Sequence, residues 1–265
     1  MKWLIPVLAA FFATVAVADD PVAAKRRFLP VDEAERWSGV GRLNARGGFC
    51  TAALIRPDTL LTTAHCIFDQ ATNRPIPLRE MRFVAGSRKG YHTASRRVVF
   101  ARAHPDWSGY HGGGVQVSGD IAVVKLESPV TRIEGRSYGV GASPEKGQDV
   151  VLLSYGRDRE DQLSIQEPCQ VIERFQRSAS LNCDVTYGAS GSPVFEDGRI
   201  VGVISAMSVG QGPKLAFAVL VDGAIQDLIA QPAAAPTITT RARSTFKAAP
   251  TGASRLPGGK RPPKQ

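Results

Sequence analysis

An all-β fold is what the sequence predicts for residues 37–230, and three observations predict it. The apolar residues come in short runs, each too short for an ordinary helix, and several are β-branched. Turn residues separate the runs, as Arg56-Pro57-Asp58 separates the first two. Helical spacing of apolar residues appears at the end of the body, where it marks one terminal helix. The segment holds enough chain for one globular unit or for two small packed barrels.

Taken in order, residues 1–18 come first and read as an export signal. Lys2 is a short positive start, "WLIPVLAAFFATVAV" is an apolar run, and Ala16-Val17-Ala18 fits a small-x-small cleavage site. The run is short for a bilayer span and Asp19-Asp20 follow at once, so an integral membrane protein is not expected. Residues 19–36 form an N-terminal segment, from which a cut after Lys25-Arg26-Arg27 would release a short pro-segment. The strand candidates are "FCTAALI", "TLLTTAHC", "MRFVAG", "RRVVFARA", "DIAVVKLE", "QDVVLLSYG", "CQVIERF", "RIVGVISA" and "KLAFAVLV". Residues 104–119, rich in glycine, read as a loop without strand character. In "VDGAIQDLIA" the apolar residues Val221, Ala224, Ile225, Leu228 and Ile229 have helical spacing.

From Gln231 to Gln265 the chain is rich in Pro, Ala, Gly and basic residues, with Phe246 its one sizeable aromatic. Such a segment buries too little apolar surface to offset its ordering entropy, and a disordered basic tail is expected. The tail also accounts for the charge. Of 33 Lys and Arg residues, Lys2 and seven in the tail lie outside the body, leaving 25 against 24 acidic residues. The body is therefore near neutral. The net charge of +9 points to a tail that contacts anionic surfaces and does not point to a specific nucleic-acid-binding fold.

Cys50, Cys66, Cys169 and Cys183 in an exported chain suggest two disulfides, for which three pairings exist. Hairpin geometry could join Cys50 to Cys66 across a short turn, leaving Cys169 for Cys183. No metal site or cofactor is expected, because there is no Cys-x-x-Cys and the histidines do not cluster at ligand spacing.

The stretch "CDVTYGASGSPVFEDG" reads either as a polar turn feeding a strand or as the setting of a nucleophile, Ser190. A serine hydroxyl needs a base within hydrogen-bond reach. Of the four histidines, His92 and His111 lie in polar or Gly-rich loops and His104 reads as a strand-end residue. His65 ends an apolar run beside a cysteine, where a buried structural histidine is the competing reading. Asp120 opens a run apolar enough to be buried, and a carboxylate there is costly unless paired. A plain turn residue after Gly119 is its competing reading.

The motifs "LLTTAHC", "GDIAVVKL" and "GASGSPVF", in this order, resemble those of the chymotrypsin-like serine proteases, and most of all their bacterial branch, which includes the glutamyl endopeptidases. The resemblance spans about residues 40–230. It implies two packed six-stranded antiparallel β-barrels with the site in the cleft between them. It also implies a peptide-bond hydrolase acting on protein or peptide substrates. In that likeness Ser190 is the nucleophile, His65 the general base and acid, and Asp120 the orienting acid. The backbone N–H groups of Gly188 and Ser190 form the oxyanion hole. Cys50 and Cys66 match the disulfide that brackets the histidine.

Specificity departs from the family pattern. Asp184 stands six residues before Ser190, where trypsin-like enzymes carry the aspartate that selects Lys or Arg, although glutamyl endopeptidases can also have an acid there. Ser205 and Met207 form the opposite wall of the pocket, and Met207 would narrow it. Ile204 stands where glutamyl enzymes have a histidine, which argues against glutamate preference. Ala189 precedes the nucleophile and offers no charge to a buried N-terminal ammonium, so a chain beginning at Asp19 should be either already active or activated independently of the exact new N-terminal residue. Two rival readings are a non-catalytic protein that keeps the fold, and a chain whose function is binding through the basic tail.

Overall fold

The computed structural model describes residues 26–111, 114–209 and 214–221, together with Ile225 and Leu228. Its strands are β1 (Arg27–Phe28), β2 (Val40–Ala45), β3 (Gly48–Arg56), β4 (Thr59–Thr62), β5 (Met81–Ala85), β6 (Ala94–Ala103), β7 (Tyr110–His111) and β8 (Gly114–Val115). They continue with β9 (Ala122–Leu126), β10 (Asp149–Gly156), β11 (Arg159–Phe175), β12 (Ser178–Leu181), β13 (Pro193–Glu196), β14 (Arg199–Met207) and β15 (Ala216–Leu220).

Two closed six-stranded antiparallel barrels result, as the sequence led us to expect. The first runs β2-β3-β4-β9-β6-β5. The second runs β11-β10-β13-β14-β15-β12 and closes because β11 also pairs with β12. The 17 residues of β11 make this closure feasible: Arg159–Gln170 lie along β10, and Val171–Phe175 pair with β12.

The apolar runs are nearly continuous because both faces of many strands are buried. Successive side chains point to opposite faces. On β3, Ala52 and Leu54 enter the first barrel's interior, while Ala53 joins a central cluster with residues of the second barrel. On β14, Val201 and Ile204 fill the second barrel, while Ile200 and Val203 join the same central cluster. This shared core fixes the two barrels side by side, and the cleft that holds the site lies between them.

The N-terminal segment is also part of this packing. β1 adds to the edge of β11, pairing Arg27 with Ile165 and Phe28 with Ser164. Leu29 and Trp37 are each 3 % exposed and belong to the central cluster. Chains that begin beyond Leu29 therefore lose part of this core. The glycine-rich stretch 104–119 is not wholly irregular, since β7 and β8 pair as a short ribbon. Cys50–Cys66 and Cys169–Cys183 are the two disulfides, with Cα separations of 6.1 and 5.3 Å. Cys66 sits in a short 3-10 turn after β4 and not on a strand. Of the expected terminal helix, Ile225 and Leu228 are helical and buried in the central cluster. Its other residues, the export signal and the tail lie outside the described residues.

Candidate active site

β4 and β9 are antiparallel neighbours, with Thr62 opposite Ala122. His65 lies three residues past Thr62, in the 3-10 turn Ala64–Ile67. Asp120 lies two residues before Ala122, and this pairing brings the two together. The Asp120 carboxylate is fully buried and accepts from three donors. The His65 backbone N–H reaches Oδ1 at 2.8 Å. His65 Nδ1 lies 2.6 Å from Oδ2, and the Ser205 hydroxyl donates to Oδ2 at 2.6 Å. A buried carboxylate needs such partners. Gripped twice by one residue, Asp120 fixes both the backbone and the ring of His65. The Tyr110 hydroxyl adds a further restraint, donating to the His65 carbonyl at 2.9 Å. Burial first, then the charges of Asp120 and Asp69, push the Tyr110 phenol up to about 12, so it keeps its proton.

Ser190 sits on the second barrel, in the loop between β12 and β13. The hydrogen bonds of that loop are specific. The Tyr187 carbonyl accepts from the Arg157 N–H at 2.7 Å, and the Gly188 carbonyl accepts from the Thr51 hydroxyl at 3.0 Å. The Ala189 carbonyl accepts from the Ser192 N–H, and the Ser190 carbonyl from the Thr51 N–H at 2.8 Å. Among the N–H groups, that of Ala189 bonds Thr186 and that of Gly191 bonds Ile204. Among the described residues, no hydrogen bond uses the N–H of Gly188 or of Ser190. In a planar trans peptide the C=O and N–H point oppositely. Holding the Tyr187 and Ala189 carbonyls therefore turns the N–H groups of Gly188 and Ser190 the other way.

This turn requires glycine at two positions. Gly188 has φ +93°, and a Cβ there would stand 2.6 Å from the Phe49 ring. Gly191 has φ +77°, and a Cβ would come within 2.2 Å of the Thr51 carbonyl.

His65 and Ser190 line one cleft of about 380 Å³, also bordered by Tyr110, Ala206, Met207 and Val209. Among the described residues no hydrogen bond joins Ser190 to His65. Of the residues assigned to the pocket wall, Ser205 and Met207 line the cleft. Asp184 does not. Its carboxylate faces Arg26 at 3.6 Å and Lys214 at 3.8 Å, and Arg26 also donates to its carbonyl at 3.1 Å. Asp184 is thus corrected from a pocket residue to a partner of the N-terminal segment. The reason is charge: two cations lie outside the cleft, and Val185, Ile204, Ala206, Met207 and Val209 give it an apolar wall.

The sequence reading overlooked Thr51, Tyr110 and Arg157. Thr51 is fully buried; besides its two bonds to the Ser190 loop it accepts from the Tyr155 N–H at 3.1 Å. A hub of this kind is set by tertiary contacts and leaves no local pattern. One cluster of metal-ligand type occurs among the described residues, Cys50, His65 and Cys66, but both of its sulfurs are in the disulfide. They offer no thiolate, so this set does not fit a metal.

The trypsin family model matches residues 30–229. Fold and sequence together define the class, and the chain belongs to the trypsin family of chymotrypsin-like serine proteases. No curated relative matches its sequence. Among solved structures it is similar to a Glu endopeptidase, with TM-score 0.65 and 19% identity over 79% of this chain and 97% of that one. It is also similar to a scabies mite inactivated protease paralogue, with TM-score 0.61 and 16% identity over 79% and 96%. Neuropsin, a serine protease expressed in mouse brain, gives TM-score 0.60 and 16% identity over 74% and 96%. At these identities the likeness is one of fold.

Proposed function

We propose that this chain is an exported serine endopeptidase that cleaves peptide bonds through an acyl-enzyme, with Ser190, His65 and Asp120 as its triad. Residues 1–18 serve as the export signal, and residues 231–265 are a basic tail that contacts anionic surfaces. In the first step Ser190 Oγ attacks the scissile carbonyl carbon while its proton passes to His65 Nε2. The new oxyanion takes the N–H groups of Gly188 and Ser190. Asp120 keeps the other ring proton on Nδ1 and stabilises the imidazolium. His65 then protonates the leaving amine and the C–N bond breaks. Water, deprotonated by His65, releases the acyl group and restores Ser190.

One observation carries the reading: within Gly188–Ser192 the N–H groups of Ala189, Gly191 and Ser192 are hydrogen-bonded, while those of Gly188 and Ser190, the two an oxyanion needs, take part in no hydrogen bond among the described residues. It also weighs against the rival of a silent fold. A fold neighbour is described as an inactivated protease paralogue, so fold alone implies no turnover. On this reading the chain keeps all three triad side chains and two unbonded donors, which supports turnover. The apolar wall of the cleft favours an apolar side chain before the scissile bond, and Asp184 faces Arg26 and Lys214 and is not among the residues that line it. Covalent labelling by an aryl phosphonate carrying a valine- or leucine-like group is the test. Mass mapping should place the adduct on Ser190, with none in Ser190→Ala. No adduct at millimolar reagent would remove the assignment.

A further inference from the structure

On the far side of Gly188 from the apolar cleft lies a second groove, of about 390 Å³, whose lining includes Gly188 itself, Phe49, Arg42, Arg82 and Arg157. We propose that this groove is a subsite for acidic residues that follow the scissile bond in a substrate. The proposal rests on the serine-peptidase reading, which places the scissile carbonyl at the Gly188 N–H and the preceding side chain in the apolar cleft. The chain leaving the other side must then pass over Gly188.

Two arginines flank that exit. The Arg42 guanidinium lies over the Phe49 ring, 4.4 Å from its centroid, and the same ring closes against Gly188. The Arg157 guanidinium lies 5.1 Å from the centroid of Tyr187, the residue before Gly188. Each is thus one side chain away from the oxyanion loop. An extended peptide advances about 3.3 Å per residue, so its second and third residues beyond the bond fall among these groups.

The charges are available. Arg42 donates to the Asn44 side-chain oxygen and the Glu160 carbonyl, both neutral acceptors. Arg82 donates to the Ser95 hydroxyl. Among the described residues no ion pair involves Arg42, Arg82 or Arg157. The remaining cation, Arg46, is already held by Asp69 at 2.9 Å and Glu80 at 3.0 Å. Arg82 also lies near enough to Glu127 to lower its pKa, which leaves Arg42 and Arg157 as the open guanidiniums; Glu80 is taken up by Arg46, and Glu160 is the exposed carboxylate that remains in the lining. The groove is therefore a cationic exit beside an apolar entrance, and its ligand is an acidic peptide segment.

The test uses quenched fluorescent peptides identical up to the scissile bond, with leucine before it, and followed by Ala-Glu-Glu, Ala-Ala-Ala or Ala-Lys-Lys. For the wild-type chain kcat/KM should favour Glu-Glu over Lys-Lys by about tenfold at low salt, with the ratio shrinking at 0.5 M salt (about 4 Å Debye length). In the Arg42→Gln/Arg157→Gln variant the ratio should approach one. The comparison is made within each variant, so a general loss of activity cancels, and the basic tail is common to all. In parallel, binding of the same peptides, dye-labelled, to Ser190→Ala is read by anisotropy. Cleavage without charge preference, or a preference that survives the double variant, overturns the subsite and leaves the peptidase reading standing. No cleavage but tighter binding of Glu-Glu that the two Gln substitutions abolish upholds the groove as an acidic-peptide site and removes both the peptidase reading and the placement of the groove after a scissile bond. Neither cleavage nor selective binding removes both.

Discussion

Asp120→Asn is the sharpest test of how the site is wired. The carboxylate presents Oδ1 to the His65 N–H and Oδ2 to both His65 Nδ1 and the Ser205 hydroxyl. An amide has one acceptor oxygen where the carboxylate has two. If that oxygen takes the Oδ2 place, the NH2 faces the His65 N–H, donor against donor, and a charged hydrogen bond of about 1.5–3 kcal/mol is lost. If instead the NH2 faces Nδ1, the ring must turn its lone pair there and carry its proton on Nε2. That nitrogen can then no longer accept from Ser190. The same exchange in a well-studied serine protease lowers kcat by about 10⁴, close to 5 kcal/mol of barrier. We expect a loss of that order in kcat/KM on a peptide with leucine before the bond, with phosphonate labelling slowed in parallel. Urea unfolding should show a loss of about 2–3 kcal/mol with the same slope. Activity within tenfold of wild type, in a folded variant, would refute the tautomer argument.

Three further outcomes are expected. Thr51→Val removes the hydroxyl that holds the Gly188 carbonyl and the Tyr155 N–H; it should cost about 1–3 kcal/mol in urea unfolding and lower kcat more than it raises KM. Chains beginning at Val31 lose Leu29 from the core and should be about 2–3 kcal/mol less stable than chains beginning at Phe28, as thermal melting would register; equal melting curves would show that burying Leu29 contributes nothing. Removing residues 231–265 should leave turnover of a small peptide unchanged while weakening binding to anionic vesicles by about 1 kcal/mol per basic residue near the surface, and sedimentation with vesicles measures it.

The parts of the site that were legible are those written in runs. "TLLTTAHC" and "DIAVVKLE" carry enough apolar character to be strands, and their pairing brings His65 to Asp120. The turn at Pro57-Asp58 and the two disulfides were legible for the same local reasons. What stayed hidden depends on where a group points. Asp184 has the position of a specificity residue, yet Arg26, 158 residues earlier in the chain, donates to its carbonyl from outside the cleft. β1 is two residues long, too short for any periodicity, and only the open edge of β11 makes it a strand. Arg157 contributes to the loop through its N–H, which every residue but proline has. Tyr110 lies in a glycine-rich stretch whose composition reads as loop, and its link to His65 spans 45 residues.

The division of labour between the barrels has a consequence for timing. His65 and Asp120 belong to the first barrel, Ser190 to the second, and Thr51 reaches from one to the other to hold the loop carbonyls. A chain whose barrels have each formed but have not yet come together owns every residue of the proposed triad and still lacks a working one. Its nucleophile has no base, and the Gly188 and Ser190 carbonyls have lost the contacts that hold them. On the proposed mechanism competence therefore belongs to the docked pair of barrels and to neither alone, and the seam between them is itself part of the site.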